Sequence, residues 1–134
     1  MKKNLITILA LIIFGVGIFL IYDQLNRTSY QNVMSDMIDE SEQIIEITIE
    51  DKRNYIETTI EDKELFDDII EKPKEMQLRK QNDLPSMDYL IIIHTNKRDY
   101  DIGLGKTGIH FGYAGTYSVV GENILYNNIN QIKF

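Results

Sequence analysis

Between Leu5 and Tyr22 the chain runs LITILALIIFGVGIFLIY, 18 residues without a charge. At about 1.5 Å per helical residue this run spans about 27 Å, close to a bilayer's hydrocarbon thickness of about 30 Å. It is apolar on every side, unlike the one-sided stripe of a helix packed on a soluble core. Gly15 and Gly17 are two apart and form no G-x-x-x-G face. The run is expected to be a membrane anchor, with Leu5, Ile12, Phe14 and Phe19 in contact with lipid and Tyr22 at the interface. Lys2 and Lys3 precede it, so the excess of positive charge places that end in the cytoplasm and the remainder outside. A cleaved signal peptide would have a shorter apolar core ending in small residues. Phe19-Leu20-Ile21-Tyr22-Asp23 offers no such site, so a retained signal anchor is expected.

Charge divides at the same place. Beyond Tyr22 lie twelve Lys and Arg against 21 Asp and Glu, a net charge of −9 within a chain of −7. An acidic domain is repelled by phosphate backbones, which argues against a nucleic-acid partner. There is no cysteine. Disulfides, thiol nucleophiles and cysteine-based zinc sites are excluded, as is the lipid-bearing cysteine of a bacterial lipoprotein. The 134 residues provide one modest domain besides the anchor.

Three segments are expected. Residues 1–23 are the anchor, 24–43 a juxtamembrane helical stalk, and 44–134 an extracytoplasmic α+β domain. In the stalk, Val33, Met34, Met37 and Ile38 recur at helical spacing behind Ser29, a good N-cap. Ile44 to Glu50 alternates, with Ile45, Ile47 and Ile49 on one face of a strand. After a turn at 51–54, Tyr55 to Ile60 suits an antiparallel partner. Asp62 to Lys72 is a helix capped by Asp62, with Leu65, Phe66, Ile69 and Ile70 as its stripe and Pro73 as its stop. Further strands are expected at Glu75–Gln81, Tyr89–Thr95, Tyr100–Gly105, Ile109–Ala114 and Thr116–Val120. Glu122–Lys133 closes the chain as helix or strand. The fold class is therefore α+β: an N-terminal transmembrane helix, then a small, mainly antiparallel sheet with one or two packed helices.

No set of catalytic residues emerges, and an enzyme is not expected. Gly105-Lys106-Thr107 has the ending of a phosphate-binding loop, but Tyr100 stands where its first glycine belongs, and a strand pattern follows. With the turn at 96–98, His94 is expected opposite Tyr100 and His110 opposite Leu104. The two histidines are then about 16 Å apart, too far to share a metal. Asp99 and Asp101 lack the third acid and the glycine spacing of a calcium loop. Neither cofactor nor metal is expected. What remains is a group of aromatic residues in the glycine-bearing C-terminal half. Tyr100, Tyr113 and Tyr117 are the expected partner-binding residues, because tyrosine is favoured in protein contacts.

The order Ile45–Ile49, a helix around Leu65–Ile70, Asn82-Asp83-Leu84-Pro85 before Tyr89-Leu90-Ile91-Ile92-Ile93, then Tyr113-Ala114-Gly115-Thr116-Tyr117, resembles small extracytoplasmic proteins of Bacillus and relatives. These are mostly uncharacterised lipoproteins or membrane-anchored domains. One branch comprises exclusion proteins of integrative conjugative elements. The resemblance covers Gln43 to Phe134 and departs from the lipoprotein type in lacking the cysteine. It implies a Gram-positive cell membrane, conjugation exclusion through protein–protein interaction in the cell envelope, and no catalytic residues. The expected function is a membrane-anchored extracytoplasmic protein-binding module, acting as an inhibitor of a conjugation or secretion apparatus. The alternatives are a structural subunit of such a complex and a small-ligand receptor.

Overall fold

The computed structural model describes all residues, 1–134. Helix α1 (Lys2–Leu25) leads through Asn26 into strand β1 (Arg27–Ser29) and helix α2 (Tyr30–Met37). Then come β2 (Ile44–Asp51), β3 (Ile56–Ile60), α3 (Lys63–Ile69), β4 (Gln77–Gln81), β5 (Tyr89–Thr95) and β6 (Asp99–Leu104). The chain closes with β7 (Gly108–His110), a 3₁₀ turn at Gly112–Ala114, β8 (Thr116–Val120) and α4 (Ile124–Asn130). The fold class is α+β, as expected. The eight strands form one sheet in the order β1-β4-β8-β7-β6-β5-β2-β3, with every pair antiparallel.

Side chains alternate across a strand, so register decides which residues meet. Ile49, Ile91 and Ile102 lie in one row across β2, β5 and β6, and Ile47, Ile93 and Tyr100 in the next. Leu104, Ile109 and Tyr117 continue the same face, as do Leu78 and Val119. Helices α2, α3 and α4 cover this face with Tyr30, Val33, Met34, Met37, Phe66, Ile69, Leu125 and Ile129, making one continuous core. The opposite face carries Glu46, Thr48, Glu50, Leu90, Ile92, His94, Asp99 and Asp101; the two aspartates are exposed, Thr48 is buried and the others are half-buried. Over part of it the 85–87 segment lies so close that a Cβ at Gly103 would meet the Met87 sulfur, and one at Gly105 the Ser86 carbonyl.

Several expectations change. Residues 24–43 are not a separate stalk. Ser29 does cap a helix, accepting from the Asn32 amide at 3.2 Å. That helix is short and belongs to the domain: Tyr30, Val33, Met34 and Met37 are all buried. Before it, Arg27–Ser29 pairs with Gln77–Arg79 as an edge of the sheet. The periodicity of α2 was legible, but not what its apolar side meets. That side is needed to cover a sheet wider than two helices can close.

In β2 the pairing slips between Ile44 and Glu46, a bulge that leaves Ile45 without a partner. Ile45 is consequently exposed, while Ile47 and Ile49 are fully buried. In the β5–β6 hairpin, Thr95 Oγ1 accepts from the amides of Lys97 and Arg98, and Thr95 N donates to the Arg98 carbonyl, tightening the turn. Asp99, not Tyr100, therefore stands opposite His94, and His110 stands opposite Gly103, not Leu104. The strand expected at Ile109–Ala114 ends at His110, where Gly112 and Gly115 adopt positive φ of 50° and 109°. The closing segment is the helix α4, with Leu125 and Ile129 inward.

Candidate functional site

Two features of α1 bear on function. It has 24 residues, about 36 Å of helix, and none of them is buried against the domain. Leu5, Ile12, Phe14, Phe19 and Tyr22 all stand exposed on it. An apolar helix of this length and position is a candidate membrane span or signal anchor.

Its attachment is short. Asn26 alone separates α1 from β1. The Asn26 amide donates to the Tyr22 and Asp23 carbonyls, its side chain donates to the Tyr22 carbonyl at 3.0 Å, and its own carbonyl accepts from Lys80 N at 2.9 Å. Asp23, in the last turn of α1, reaches the sheet. One carboxylate oxygen meets Arg27 Nη2 at 2.9 Å, and the other meets Arg79 Nη2 at 2.7 Å. Arg27 and Arg79 are cross-strand partners in the β1–β4 pair. Like charges directly opposite repel, and the single carboxylate offsets this.

The three expected contact tyrosines do not form one surface. Tyr100 is buried on the core face, its hydroxyl donating to Glu42 at 2.6 Å. Burial and that hydrogen bond push its phenol up to about 12, and the same bond, with one from Thr95, holds Glu42 below the usual carboxylate range. Tyr100 is a core residue, not a contact residue. Tyr117 is half-buried, with its ring edge-on to Phe111 at 5.7 Å and its hydroxyl donating to the Ala114 carbonyl. Tyr113 alone presents its ring to solvent, 73% exposed, and is held there by its hydroxyl donating to the Met37 carbonyl at 2.9 Å.

The densest polar cluster was not singled out by sequence. Asp51 accepts from the Arg53 guanidinium and amide and from Asn54 Nδ2. The Arg53 hydrogen bonds hold its carboxyl down to about 2, against the opposing effect of burial. Arg53 lies over the Tyr89 ring, 4.7 Å from its centroid, and donates to the Tyr89 hydroxyl. Tyr89 in turn donates to Asn130 Oδ1 at 2.8 Å, and Tyr126 donates to Asp88 Oδ2 at 2.6 Å. These bonds pin α4 to the β2–β3 turn and to β5. The only sequence signal was the Asp-x-Arg-Asn turn, whose aspartate caps its own amides.

The other chemistry-bearing motifs serve structure. Gly105-Lys106-Thr107 is a turn between β6 and β7: Gly105 N donates to Gly108 O at 2.9 Å, and Asn123 Nδ2 donates to the carbonyls of Gly105 and Lys106. His94 lies 3.1 Å from Thr48 Oγ1 and 2.8 Å from Asp99, whereas His110 lies beside Thr116. No three His, Asp or Glu side chains converge as metal ligands.

Compared with known proteins, the chain matches no family model, and no curated protein or solved structure is similar to it.

Proposed function

We propose that this chain is a membrane-anchored extracytoplasmic protein-binding module, which acts by contacting an envelope protein of a conjugation or secretion apparatus and performs no catalysis itself. One observation carries the reading: an apolar helix with no buried residue is joined through a single residue to a folded acidic domain, which it meets only at its last turn. Exposing that much apolar surface to water is unfavourable at about 25 cal/mol per Å², and a bilayer removes it. The Lys2–Lys3 pair orients the helix with the domain outside. Retention is supported by Asp23, whose ion pairs tie the end of α1 to the sheet. Of the three expected contact tyrosines, Tyr113 is the one whose ring is exposed, with its hydroxyl bonded to the Met37 carbonyl.

The test has two parts. Protease added outside intact protoplasts should digest the domain; protection of the domain would refute the orientation. A photo-crosslinking residue at position 113 should join the full chain to an envelope protein in living cells, whereas the same residue at Ile91 should not. Equal crosslinking at both positions would refute the contact surface.

A further inference from the structure

The sheet ends at two edges. One is β1, three residues long between α1 and α2; the other is β3, five residues long, with Ile56, Glu57 and Thr59 exposed. We propose that β3 pairs antiparallel with β3 of a second copy of this chain, about a two-fold axis at Thr58, so that two sheets join into one.

Backbone direction argues for it first. Lys52 N donates to Asp88 O at 2.9 Å, one step beyond the last β2–β5 pair. The direction of hydrogen bonding alternates along a strand, so Glu50 and Thr48 bond β5, whereas Asp51, Ile49 and Ile47 bond β3. Their partners Ile56, Thr58 and Ile60 face back toward β2. The N–H and C=O groups of Glu57 and Thr59 therefore point off the sheet, and no turn, loop or cap satisfies them. Protein sheets commonly blunt such an edge with proline, lysine or a bulge, and β3 has none of the three.

Register argues for it second, and names a second copy as the occupant. Only Glu57 and Thr59 offer outward bonds, so three symmetric registers keep most of the strand paired. With the axis at Glu57, Glu57 faces itself; with the axis at Thr59, Glu57 faces Glu61. Acid opposite acid is unfavourable in both. With the axis at Thr58, Glu57 faces Thr59 and Ile56 faces Ile60, and no like charges meet along β3. Four backbone bonds form, two in each direction, and Ile56, 43% exposed, gains an apolar neighbour. A five-residue edge is small beside a standard interface, so the dimer is weak and concentration-dependent.

The experiment uses the full chain in detergent. The chain has no cysteine, so Thr58→Cys introduces a single thiol. It faces its own copy across a non-hydrogen-bonded pair, about 4.5 Å between Cα atoms, within reach of a disulfide. Mild oxidation should link Thr58→Cys into dimers, and Thr59→Cys several-fold less, since residue 59 meets itself only diagonally. Equal or greater linkage at 59 overturns the register. Thr59→Pro removes an outward N–H and no bond to β2, so sedimentation should find it monomeric, with the melting temperature of the parent. Thr59→Glu sets an acid opposite Glu57 twice in each dimer, and Thr59→Lys sets the opposite charge there. The dissociation constant should rise about fivefold with the first and fall about fivefold with the second. These two variants keep the test should Thr59→Pro not fold. A parent monomeric at every concentration overturns the proposal. So does a dimer indifferent to the charge at 59, which assigns association to α1 instead.

Discussion

Tyr30 tests where the domain begins. If residues 24–43 were a loosely attached stalk, removing a side chain there would cost little. In the structure Tyr30 is fully buried, its hydroxyl donates to the Ile69 carbonyl at 2.9 Å, and its ring lies 5.7 Å from that of Phe111. Burial pushes its phenol well above the ordinary tyrosine value, so it is neutral throughout the accessible pH range. Tyr30→Phe keeps the ring and leaves the Ile69 carbonyl without that donor, a loss of about 1–3 kcal/mol. Tyr30→Ala also opens a cavity between α2, α3 and the 3₁₀ turn, and aromatic-to-alanine changes in cores cost about 3–5 kcal/mol. Domain stabilities are about 5–15 kcal/mol, so the second change removes a large share. At about 4 °C or more per kcal/mol for a domain of this size, the melting temperature should fall by about 12 °C or more. Urea unfolding of the full chain in micelles, followed by near-ultraviolet circular dichroism, reports the domain without interference from α1. Two variants both within about 0.5 kcal/mol of the parent, the range of ordinary surface changes, would refute the assignment of α2 to the core.

The bulge in β2 predicts that Ile45→Thr leaves stability within about 0.5 kcal/mol, whereas Ile47→Ala, at a site with no exposure, costs about 2–5 kcal/mol; similar losses at both would refute the bulge. A Cβ at Gly105 would stand 2.0 Å from a backbone carbonyl, but one at Gly103 would meet a flexible methionine side chain. Gly105→Ala should therefore cost more than Gly103→Ala, by about 1–3 kcal/mol in the same urea assay. Asp51 is held to about 2 when folded, against about 3.9 in an unfolded chain. The unfolded state takes up the proton first, so the stability that Asp51 contributes is whole above about pH 5 and is lost as pH falls toward about 2. Asp51→Asn should be less stable at neutral pH and lose less between pH 5 and 2; parallel acid profiles for parent and variant would count against the Arg53 hydrogen bonds as the cause.

What could be read from sequence were the features set by nearest neighbours. The apolar run is long because a bilayer is thick, and no tertiary contact is needed to recognise it. The cap at Asp62, the alternation around Ile47 and Ile49, the run Tyr89–Thr95 and the spacing in Asp62–Ile70 likewise depend on residues a few positions apart. They sufficed for the α+β class and for most strands. Tertiary structure decided what depends on partners far along the chain. Ile45 faces outward because β2 must match the spacing of β5 around a bulge. Tyr100 is buried because a tight turn at Thr95 shifts its strand by one residue, and one residue exchanges the faces of a strand. Residues 27–37 join the domain because β4 and the core beneath it, over forty residues away, require an edge strand and a lid. The meeting of Asp23 and Arg27 with Arg79 follows from that same pairing. Asp23 and Arg27 are four apart and so a local pair, but nothing in the sequence around Arg79 marks it as the third member, since a charged side chain on a strand is ordinary until the fold brings it beside another.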